Sequence, residues 1–474
     1  MKKKLVTLIS LVMVGVMVAA CTPAAQVEQE VPAVAEAPAE AAEVEEPSAE
    51  EPAEEVVVED GVFSPHTLGA TEIRVSWWGG DGRHERVNAA LDVFEDRYPH
   101  ITISREYGAF AGFLDRLITD LAAGTTPDIT QSNYSWLHTL GLGTNVFLDL
   151  NTVSDIFDIS EIEQGIVNLL PFVTTNDGQI AAAAHGITGR VIIYNRHMLE
   201  EHGLSTFPQT IDELIAFGEA VSEGNAAVDV DGTNTYAFWP TGQEVFDIIF
   251  LTWLYNNTGR NLQANGEILH AVDEVEEAFE LMGRLIESGV IPSYEQWETP
   301  RDATNPVWMA GRAGAAFEWV GNIFLAGGNF MEGDLEGLGV ALLPPMAAGG
   351  SQSIMQRPSL THAISRTTNH PELAAYILNF LYTDEEALLI LGDAFGVPLT
   401  RTAGNLAQSE GLIEGLMLEG FHLLNANFGE MCELFEDPNL RQDRFHALES
   451  FWIGETDARE SAELWVNNQQ SGLR

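Results

Sequence analysis

Apolar residues recur along the chain at two spacings, and the order in which these spacings appear predicts the fold class. Glu72–Trp78 alternates apolar and polar positions, which is typical of a strand with one buried face. The apolar residues from Val87 to Tyr98 then fall at helical spacing, and Pro99 ends that helix. The next predicted elements are a strand at His100–Tyr107, a helix at Phe113–Ala123 and a short strand at Pro127–Gln131. Strands that alternate with helices in this way predict an open α/β sheet with parallel crossovers.

The alternation resumes in the second half of the chain after a change of register. Two further strands are predicted at Gln179–Ala184 and Arg190–Tyr194, and an Asp-Gly pair within Val228–Gly232 indicates a hairpin turn. Helical spacing predicts helices at Arg196–His202, Ile211–Glu223, Val272–Ser288, Phe324–Glu332 and Pro371–Tyr382. No segment repeats with a fixed period, so two α/β lobes fit this order better than one large sheet.

The first 21 residues have the layout of an export signal. Lys2–Lys4 form a charged start, and Leu5–Ala20 is an apolar run too short to span a membrane comfortably. The run ends in small residues before Cys21, which resembles the lipobox of bacterial lipoproteins. That resemblance implies that residues 1–21 are a lipoprotein signal peptide and that Cys21 is the lipidated N-terminus of the mature chain. The alternative is an ordinary signal peptide beside an incidental cysteine.

The segment after the signal is unsuited to folding. Thr22–Asp60 contains 13 acidic residues, many alanines and prolines, and neither a basic nor an aromatic residue. Such a composition cannot bury enough apolar surface to offset the entropy lost on ordering, and its charges repel one another. We therefore expect residues 22–70 to be an acidic, disordered linker and ordered structure to begin near Thr71.

Charge and cysteine content narrow the function classes of the remaining chain. The chain has 71 acidic residues against 22 basic ones, and its only lysines are the three in the signal. A domain this acidic is a poor binder of nucleic acid or of an anionic membrane surface. Cys432 is the only other cysteine, so we expect no intramolecular disulfide in the mature protein.

The usual cofactor and metal motifs are missing. The sequence has no Gly-x-Ser-x-Gly elbow, no P-loop and no dinucleotide-type glycine pattern. The spacing of Asp229, Asp231 and Asn234 faintly resembles a calcium loop, but the glycine that such a loop needs at its sixth position is absent. His197 and His202 lie five residues apart, which places them about 140° apart on a helix and not on one face. We expect no cofactor and no metal.

Aromatic residues beside single polar groups mark several predicted strand ends. A pyranose ring has an apolar C–H face and a belt of hydroxyls, so it is bound by a flat aromatic face with polar groups around its edge. The clearest example is the stretch Trp77–Arg83, because ligands of open α/β sheets bind beyond the carboxyl ends of strands. Trp78 could stack on a sugar while Asp81 and Arg83 bind its hydroxyls. Trp77 points to the opposite side of the strand and is predicted to lie in the core.

Five segments together resemble the bacterial extracellular solute-binding proteins, in particular the maltodextrin-type sugar-binding group that feeds ABC importers. The resemblance covers roughly Thr71 to the C-terminus and is carried by EIRVSWWGGDGRHERVNAALDVFEDRYPHITIS, AAGTTPDITQSNYSWL, GQIAAAAHGITGRVIIYNRHMLEEHGL, GRAGAAFEWVGN and RPSLTHAISRTTNHPELAAYILNFL. The WWGGDGRHE and YSW stretches are most similar to members that bind oligogalacturonides. One departure is the alanine run Ala181–Ala184, where bulkier residues are common, so the shape of the cleft there is left open.

The resemblance implies a periplasmic-binding-protein-like α/β fold with two lobes joined by hinge crossovers. By position, the crossovers match His185–Arg190, Ser359–Ile364 and Leu399–Asn405. The first lobe would then comprise residues 71–186 with 361–403, and the second lobe residues 187–360 with 404–474. The two lobes would close on a ligand like a hinge.

The residues predicted to bind the ligand lie at strand ends, at the crossovers or in the matched segments. They are Trp78, Asp81, Arg83, Tyr107, Tyr134, Trp136, His185, Arg190, Trp239, Glu318, Trp319 and Arg357. Arg83, Arg190 and Arg357 could each grip the carboxylate of a uronic acid through two hydrogen bonds. Alternatively, these arginines form ion pairs with the abundant acidic residues. Both interpretations remain open from the sequence.

The resemblance implies a lipid-anchored, extracytoplasmic and monomeric receptor without catalytic activity. It would capture a mono- or oligosaccharide between its lobes and deliver it to ABC permease subunits, and it would touch the membrane only through its lipid. The main alternative is a secreted glycoside hydrolase, because Glu318 beside Trp319 is also typical of a hydrolase site. Such an enzyme needs a second carboxylate across the scissile bond, and the sequence does not identify one. An acidic surface adhesin fits the strand–helix alternation poorly.

Overall fold

The structure is a computed structural model. It describes residues 63–139, 146–157, 170–175, 177–226, 233–239, 243–294, 306–392, 394–398, 406, 409–411, 414–432 and 434–473. The strands are β1 (Thr71–Trp78), β2 (Ile101–Gly108), β3 (Ile129–Ser132), β4 (Ala183–Ala184), β5 (Gly186–Thr188), β6 (Arg190–Asn195), β7 (Gln263–Ala264), β8 (Glu267–Ile268), β9 (Ala315–Trp319), β10 (Leu338–Ala341), β11 (Ile354–Pro358), β12 (Thr361–Ile364), β13 (Val397–Pro398) and β14 (Phe428–Glu430).

Helices lie between these strands and make up most of the C-terminal part. They are α1 (Asp81–Arg97), α2 (Phe113–Ala123), α3 (Tyr134–Thr139), α4 (Leu170–Val173), α5 (Arg196–Glu201), α6 (Ile211–Val221), α7 (Gln243–Thr258), α8 (Val272–Glu287), α9 (Pro306–Met309), α10 (Ile323–Asn329), α11 (Pro371–Thr383), α12 (Glu385–Leu391), α13 (Gly415–Ala426), α14 (Pro438–Trp452) and α15 (Ala458–Gly472). Among the described residues, each helix is too short or too polar to cross a membrane.

The first sheet has five strands in the order β2-β1-β3-β12-β4. β1 is parallel to both β2 and β3, which confirms the predicted crossovers. β12 comes from much later in the chain and runs antiparallel to β3 and β4, so the sheet is mixed rather than wholly parallel. Helix α1 covers this sheet with Val87, Ala90, Leu91 and Phe94, which are buried at the predicted spacing.

Within the described residues, sheets of three and four strands and the two-stranded pair β7-β8 form the remainder of the strand framework. β6 pairs antiparallel with β9 and β10, and β5 lies between β11 and β13 in a sheet that β14 completes. β4, β5 and β6 follow one another in the chain yet belong to three different sheets. The predicted crossover His185–Arg190 therefore spans the points where the chain changes sheet, and Ser359–Ile364 contains the change from β11 to β12 together with β12 itself. The third predicted crossover, Leu399–Asn405, lies outside the described residues, as does the Val228–Gly232 turn.

The predicted strand Gln179–Ala184 is too long. Only Ala183–Ala184 pairs in the sheet, because the preceding residues use their backbone groups in a local turn. The amide of Thr175 donates to the carbonyl of Gln179, and the amide of Ala181 donates to the carbonyl of Val173. The alanines of the run are nonetheless fully buried.

The predicted helix Phe324–Glu332 is also corrected. A helix at Ile323–Asn329 is followed by a separate 3₁₀ turn, Phe330–Glu332. The helix ends because Phe330 is extended, with φ −76° and ψ 122°. Met331 and Glu332 then have positive φ angles of 40° and 64°, which a right-handed helix does not accommodate.

Ordered structure begins before the predicted boundary at Thr71. Pro65–Thr67 forms a 3₁₀ turn, and the carbonyl of Pro65 lies 2.9 Å from Nε2 of His100. The ring of Phe63 packs edge-on against Tyr376 at 6.1 Å between centroids. The last residues of the predicted linker therefore belong to the folded part, because they contribute aromatic contacts that the acidic segment before them cannot supply.

Candidate ligand-binding site

An aromatic cluster lies at the carboxyl end of β1. Trp78 is only 6% exposed, and its ring contacts three other aromatic rings. The centroid distances are 5.5 Å to Phe110, 4.9 Å to Phe113 and 5.4 Å to Trp136. Phe110 is 55% exposed and forms the outer wall of the cluster, whereas Trp136 is buried. The predicted stacking residues Trp78 and Trp136 therefore use most of their surface to pack against each other and against phenylalanines.

Trp77 lies in the core, as predicted, with 1% of its surface exposed. Its indole Nε1 donates to Nδ1 of His84 at 3.1 Å, and its ring lies 4.8 Å from that of Tyr107. Tyr107 keeps 44% of its surface in solvent, so this predicted site residue remains accessible.

The turn between β1 and α1 is held by Arg83. Its Nε donates to the carbonyl of Ala394 at 2.6 Å, and its Nη1 donates to the carbonyl of Trp78 at 3.0 Å. A Cβ at Gly79 would lie 2.7 Å from the Arg83 side chain, so a glycine is needed there. Asp81 begins α1 and is exposed. Arg83 thus binds two backbone carbonyls and connects the end of β1 to the segment after α12.

Two predicted ligand-binding residues, His185 and Trp239, lie in the interior. Each is 2% exposed. The His185 ring lies 4.5 Å from Tyr382 and 4.8 Å from Phe395, and burial lowers its pKa to about 4, which keeps it neutral. Trp239 packs 4.6 Å from Tyr236. The structure does not bring either side chain to a surface that a ligand could reach, because each is enclosed by other rings.

A second cluster surrounds Trp319, at the end of β9. Arg190 begins β6 and is the direct cross-strand partner of Trp319, which places its guanidinium 4.3 Å from the indole centroid. Arg357, from β11, lies 4.2 Å from the same ring. Both distances are within the range of cation–π contacts. Trp319 stays partly exposed, unlike Trp78.

Each of these arginines is paired with a buried glutamate. Nη1 of Arg190 lies 3.6 Å from Oε1 of Glu318, and Nε of Arg357 lies 2.9 Å from Oε1 of Glu436. As whole residues, Glu318 and Glu436 are 7% and 5% exposed, respectively. The structure therefore shows the ion pairs that the sequence left as one of two alternatives for Arg190 and Arg357.

Both carboxylates also accept hydrogen bonds from neighbouring amides. Oε1 of Glu318 accepts from the backbone amide of Trp319 at 2.7 Å and from the side-chain amide of Asn322 at 3.3 Å. Oε2 of Glu436 accepts from the side-chain amide of Asn133 at 3.3 Å. These contacts fix the orientation of each carboxylate beside its arginine.

Helix α3 joins the two clusters. Tyr134 at its start lies 5.7 Å from the guanidinium of Arg357, while Trp136 packs against Trp78. The Tyr134 hydroxyl donates to Sδ of Met431 at 3.9 Å, and burial together with nearby Glu436 raises its pKa well above the usual value. The predicted residues Tyr134, Arg190, Glu318, Trp319 and Arg357 thus meet where the end of β3 in the first sheet faces β6 and β9 of the three-stranded sheet and β11 of the four-stranded sheet.

Sequence reasoning missed Asn133, Asn322 and Glu436. Asn133 directly precedes the aromatic residues Tyr134 and Trp136, and Asn322 ends the matched FEWVGN stretch. The search for polar residues beside aromatic ones at strand ends could therefore have identified both. Glu436 follows Phe435 and satisfies the same rule, but it lies outside all matched segments.

A cavity of about 720 Å³ lies apart from these predicted residues. It is lined by Arg86, Arg196, Ile323, Leu335, Glu336, Leu338, Gly411, Glu414, Gly415, Leu416, Met417 and Glu419. No group of His, Cys, Asp and Glu within the described residues could hold a metal ion.

The fold is the two-lobed α/β fold of periplasmic solute-binding proteins. A periplasmic solute-binding protein from Pectobacterium atrosepticum is similar, with a TM-score of 0.75 and 25% identity over 85% of this chain and 98% of that one. A periplasmic oligogalacturonide-binding protein from Yersinia enterocolitica, in complex with saturated digalacturonic acid, gives a TM-score of 0.74 and 24% identity over 85% and 98% of the two chains. A maltose-bound T. maritima protein gives 0.66 and 21% over 85% and 99%.

The sequence itself matches the corresponding family. Residues 89–410 fit the model of the bacterial extracellular solute-binding proteins, which is more than half of the chain. The chain therefore belongs to the bacterial extracellular solute-binding protein family, and the resemblance stated from the sequence is confirmed.

Proposed function

We propose that this protein is a lipid-anchored receptor that captures a mono- or oligosaccharide and delivers it to the permease of an ABC importer. The family makes it an extracellular solute-binding protein. Two structural neighbours are described as an oligogalacturonide-binding protein and a maltose-bound protein, which supports a carbohydrate as the solute.

The observation that carries the carbohydrate proposal is the cluster around Trp319. It offers a partly exposed indole, two guanidinium groups within 4.3 Å of that indole and two oriented carboxylates. An aromatic surface suits the C–H face of a sugar, and charged groups that donate and accept hydrogen bonds suit its hydroxyls. The charged groups and Trp319 lie on the proposed second lobe and contact Asn133 and Tyr134 of the first, so a ligand bound there would lie beside the boundary between the lobes.

The same cluster disfavours a glycoside hydrolase. That reaction needs two carboxyl groups on either side of the scissile bond, one of which must deliver a proton. Glu318 and Glu436 each lie beside an arginine and accept amide hydrogen bonds, which is an arrangement for holding polar ligands rather than for transferring protons.

The proposed lobes follow the predicted boundaries, with residues 71–186 and 361–403 in one and 187–360 and 404–474 in the other. Support comes from β4, β5 and β6, which are consecutive in the chain and belong to three sheets. Short strands at such sheet changes can absorb the backbone rotation that closes one lobe on the other.

The proposed anchor is the lipid on Cys21, which would place the protein on the outer side of the cell membrane. Replacing Cys21→Ser should release the protein into the soluble extracytoplasmic fraction. Cell fractionation followed by detection of the protein tests this, and a mutant that stays fully with the membrane would contradict the anchor.

A sugar screen tests the receptor proposal. Purified protein is mixed with neutral and acidic oligosaccharides, binding is measured by thermal shift and calorimetry, and the sugars are analysed afterwards. We expect binding of at least one oligosaccharide without any shortening of it. Released product would support the hydrolase, and absence of binding across the panel would contradict both readings.

A further inference from the structure

We infer that Glu318 and Glu436 make this site selective for neutral over acidic glycans. The inference rests on the proposed carbohydrate-binding function and adds the charge of the ligand. It starts from the charges around Trp319, where two guanidinium groups and two carboxylates form two pairs.

These four groups are removed from solvent. The side chains of Arg190 and Glu318 are 5% and 9% exposed, and those of Arg357 and Glu436 are 11% and 5% exposed. Buried charges are tolerated when each has a partner of opposite sign. The cluster meets this condition by itself, so it needs no charge from a ligand.

A neutral sugar can bind such paired groups without breaking them. Nη1 of Arg190 also donates to the carbonyl of Phe317 at 2.8 Å, and Nη1 of Arg357 donates to that of Pro358 at 2.7 Å. A guanidinium has five N–H donors and a carboxylate has about four acceptor positions, so a paired arginine and glutamate can each bind more than one group. A sugar hydroxyl can accept from the arginine and donate to the glutamate at the same time. Its hydrogen bonds with charged groups are stronger than those between neutral groups.

A uronate could not bind without disturbing the two ion pairs. Its carboxylate could reach Arg190 or Arg357 only by approaching Glu318 or Glu436, or by displacing one of them. Like charges close together in a poorly hydrated site repel, and a displaced glutamate would remain buried without its partner.

Arg83, the third arginine predicted to bind a ligand carboxylate, is already hydrogen-bonded within the protein. Arg83 donates to the carbonyls of Ala394 and Trp78 at 2.6 and 3.0 Å, which links two backbone segments. To grip a ligand carboxylate with Nε and Nη1, it would have to leave both carbonyls. The three arginines that suggested a uronate in the sequence therefore all serve the protein's own groups.

Calorimetry on matched sugars tests the inference. The pairs are galactobiose with digalacturonic acid and cellobiose with cellobiouronic acid, and maltose is added as a further neutral sugar. Wild-type protein should bind at least one neutral sugar at least about tenfold more tightly than its acidic counterpart. Glu436→Gln and Glu318→Gln each free an arginine from its carboxylate partner, so each should raise the affinity for the acidic sugar relative to the neutral one by about tenfold.

The control is Glu274→Gln, which removes a carboxylate from another arginine pair, Arg260–Glu274, on the surface at α8. It should leave the ratio of acidic to neutral affinity unchanged. Melting temperatures show whether each variant folds, and two site variants keep the test decisive if one does not. The salt dependence of acidic-sugar binding should appear only in the site variants, which a merely structural glutamate would not cause.

Three outcomes are distinguishable. Preference for neutral sugars that shifts in every site variant that folds supports the inference. Wild-type binding of an acidic sugar as tight as or tighter than its neutral counterpart overturns the inference and leaves the receptor function standing. Failure to bind any sugar, in this set and in the wider screen, overturns the proposed function and the inference with it.

Discussion

Trp78 and Trp319 occupy similar places in the sequence pattern and different environments in the structure. Both end a strand, both are followed by a glycine within two residues, and both have a carboxylate close in sequence, Asp81 after Trp78 and Glu318 before Trp319. Trp78 is 6% exposed and is enclosed by the rings of Phe110, Phe113 and Trp136. Trp319 is partly exposed and is flanked by two arginines.

The two tryptophans differ in the chemical type of their neighbours, which is aromatic at Trp78 and charged at Trp319. Aromatic neighbours bury Trp78 and lower the free energy of the fold by removing apolar area from water. Arginines keep Trp319 close to charged, hydrogen-bonding groups that a polar ligand can use. A tryptophan at a strand end is therefore a candidate ligand contact only when polar partners share its surroundings.

The largest expected effect comes from removing the packed indole. Trp78→Ala should lower the free energy of unfolding by about 3–5 kcal/mol, because it leaves a cavity among three rings. Denaturant unfolding measures this, with Trp319→Ala as the matched variant at a partly exposed ring. Equal losses in the two variants would show that the two environments do not differ as described.

The pH dependence of the unfolding free energy tests whether the histidines near the crossover between the sheets are buried as described. His185 and His362 are each 2% exposed, and burial lowers their pKa values to about 4 and about 3 from 6.5. Above pH 6.5 both are neutral in the folded and the unfolded chain. As the pH falls from about 6.5 to about 4, only the unfolded chain takes up the protons, so the unfolding free energy decreases.

His185→Phe preserves a ring beside Tyr382 and Phe395 and removes one titrating group. It should reduce the loss of stability between pH 6.5 and pH 4 by about 2–3 kcal/mol relative to wild type. Urea unfolding at several pH values measures the slope in wild type and in His185→Phe. An unaltered slope in His185→Phe would mean that this histidine is charged in the folded protein.

At Trp319, in contrast to Trp78, we expect a substitution to weaken ligand binding. Trp319→Ala should weaken sugar binding by about 1–2 kcal/mol, because it removes the surface for the C–H face of the sugar and the contact that orders both arginines. Calorimetry with a sugar identified in the screen measures the change. Unchanged affinity in a folded Trp319→Ala protein would move the ligand away from this cluster.

The smallest effect is expected at the outer wall of the aromatic cluster. Phe110 is 55% exposed, so Phe110→Ala should change the unfolding free energy by less than about 1 kcal/mol. Phe113→Ala, at a neighbouring ring that is 3% exposed, should cost about 3 kcal/mol or more. Similar values for both would mean that the cluster is packed from all sides.

Periodicity predicted the elements that have one buried face. Helix α2 has the predicted bounds, Phe113–Ala123, and Gly124 ends it with a φ of 69°. Helix α7 (Gln243–Thr258) gave no such signal because almost every apolar residue from Val245 to Leu254 is buried, so no polar face marks a period. The pairing of β12 with β3 could not be predicted from local patterns either, because the two strands are far apart in the sequence.

The site was predictable to the extent that its residues stand in local motifs. Trp319, Glu318 and Tyr134, which the structure brings together, stand in such motifs, and Trp77 was assigned correctly to the core. The sequence could not separate Trp78 from Trp319, since the rings and arginines that distinguish them come from other segments of the chain. It left open whether Arg357 binds a ligand or a glutamate because its partner, Glu436, lies far along the sequence.

The position of β12 also bears on how the chain reaches its native state. The hydroxyl of Thr361 donates to the carbonyl of Ser132 across a sequence separation of 229 residues. The first sheet therefore cannot be completed when its N-terminal strands have been synthesised, and it stays open until Ile364 is available. Closing such long loops slows folding and leaves strand edges unpaired in the meantime. Until then, β3 offers an edge on which a chaperone or a second unfinished chain could pair.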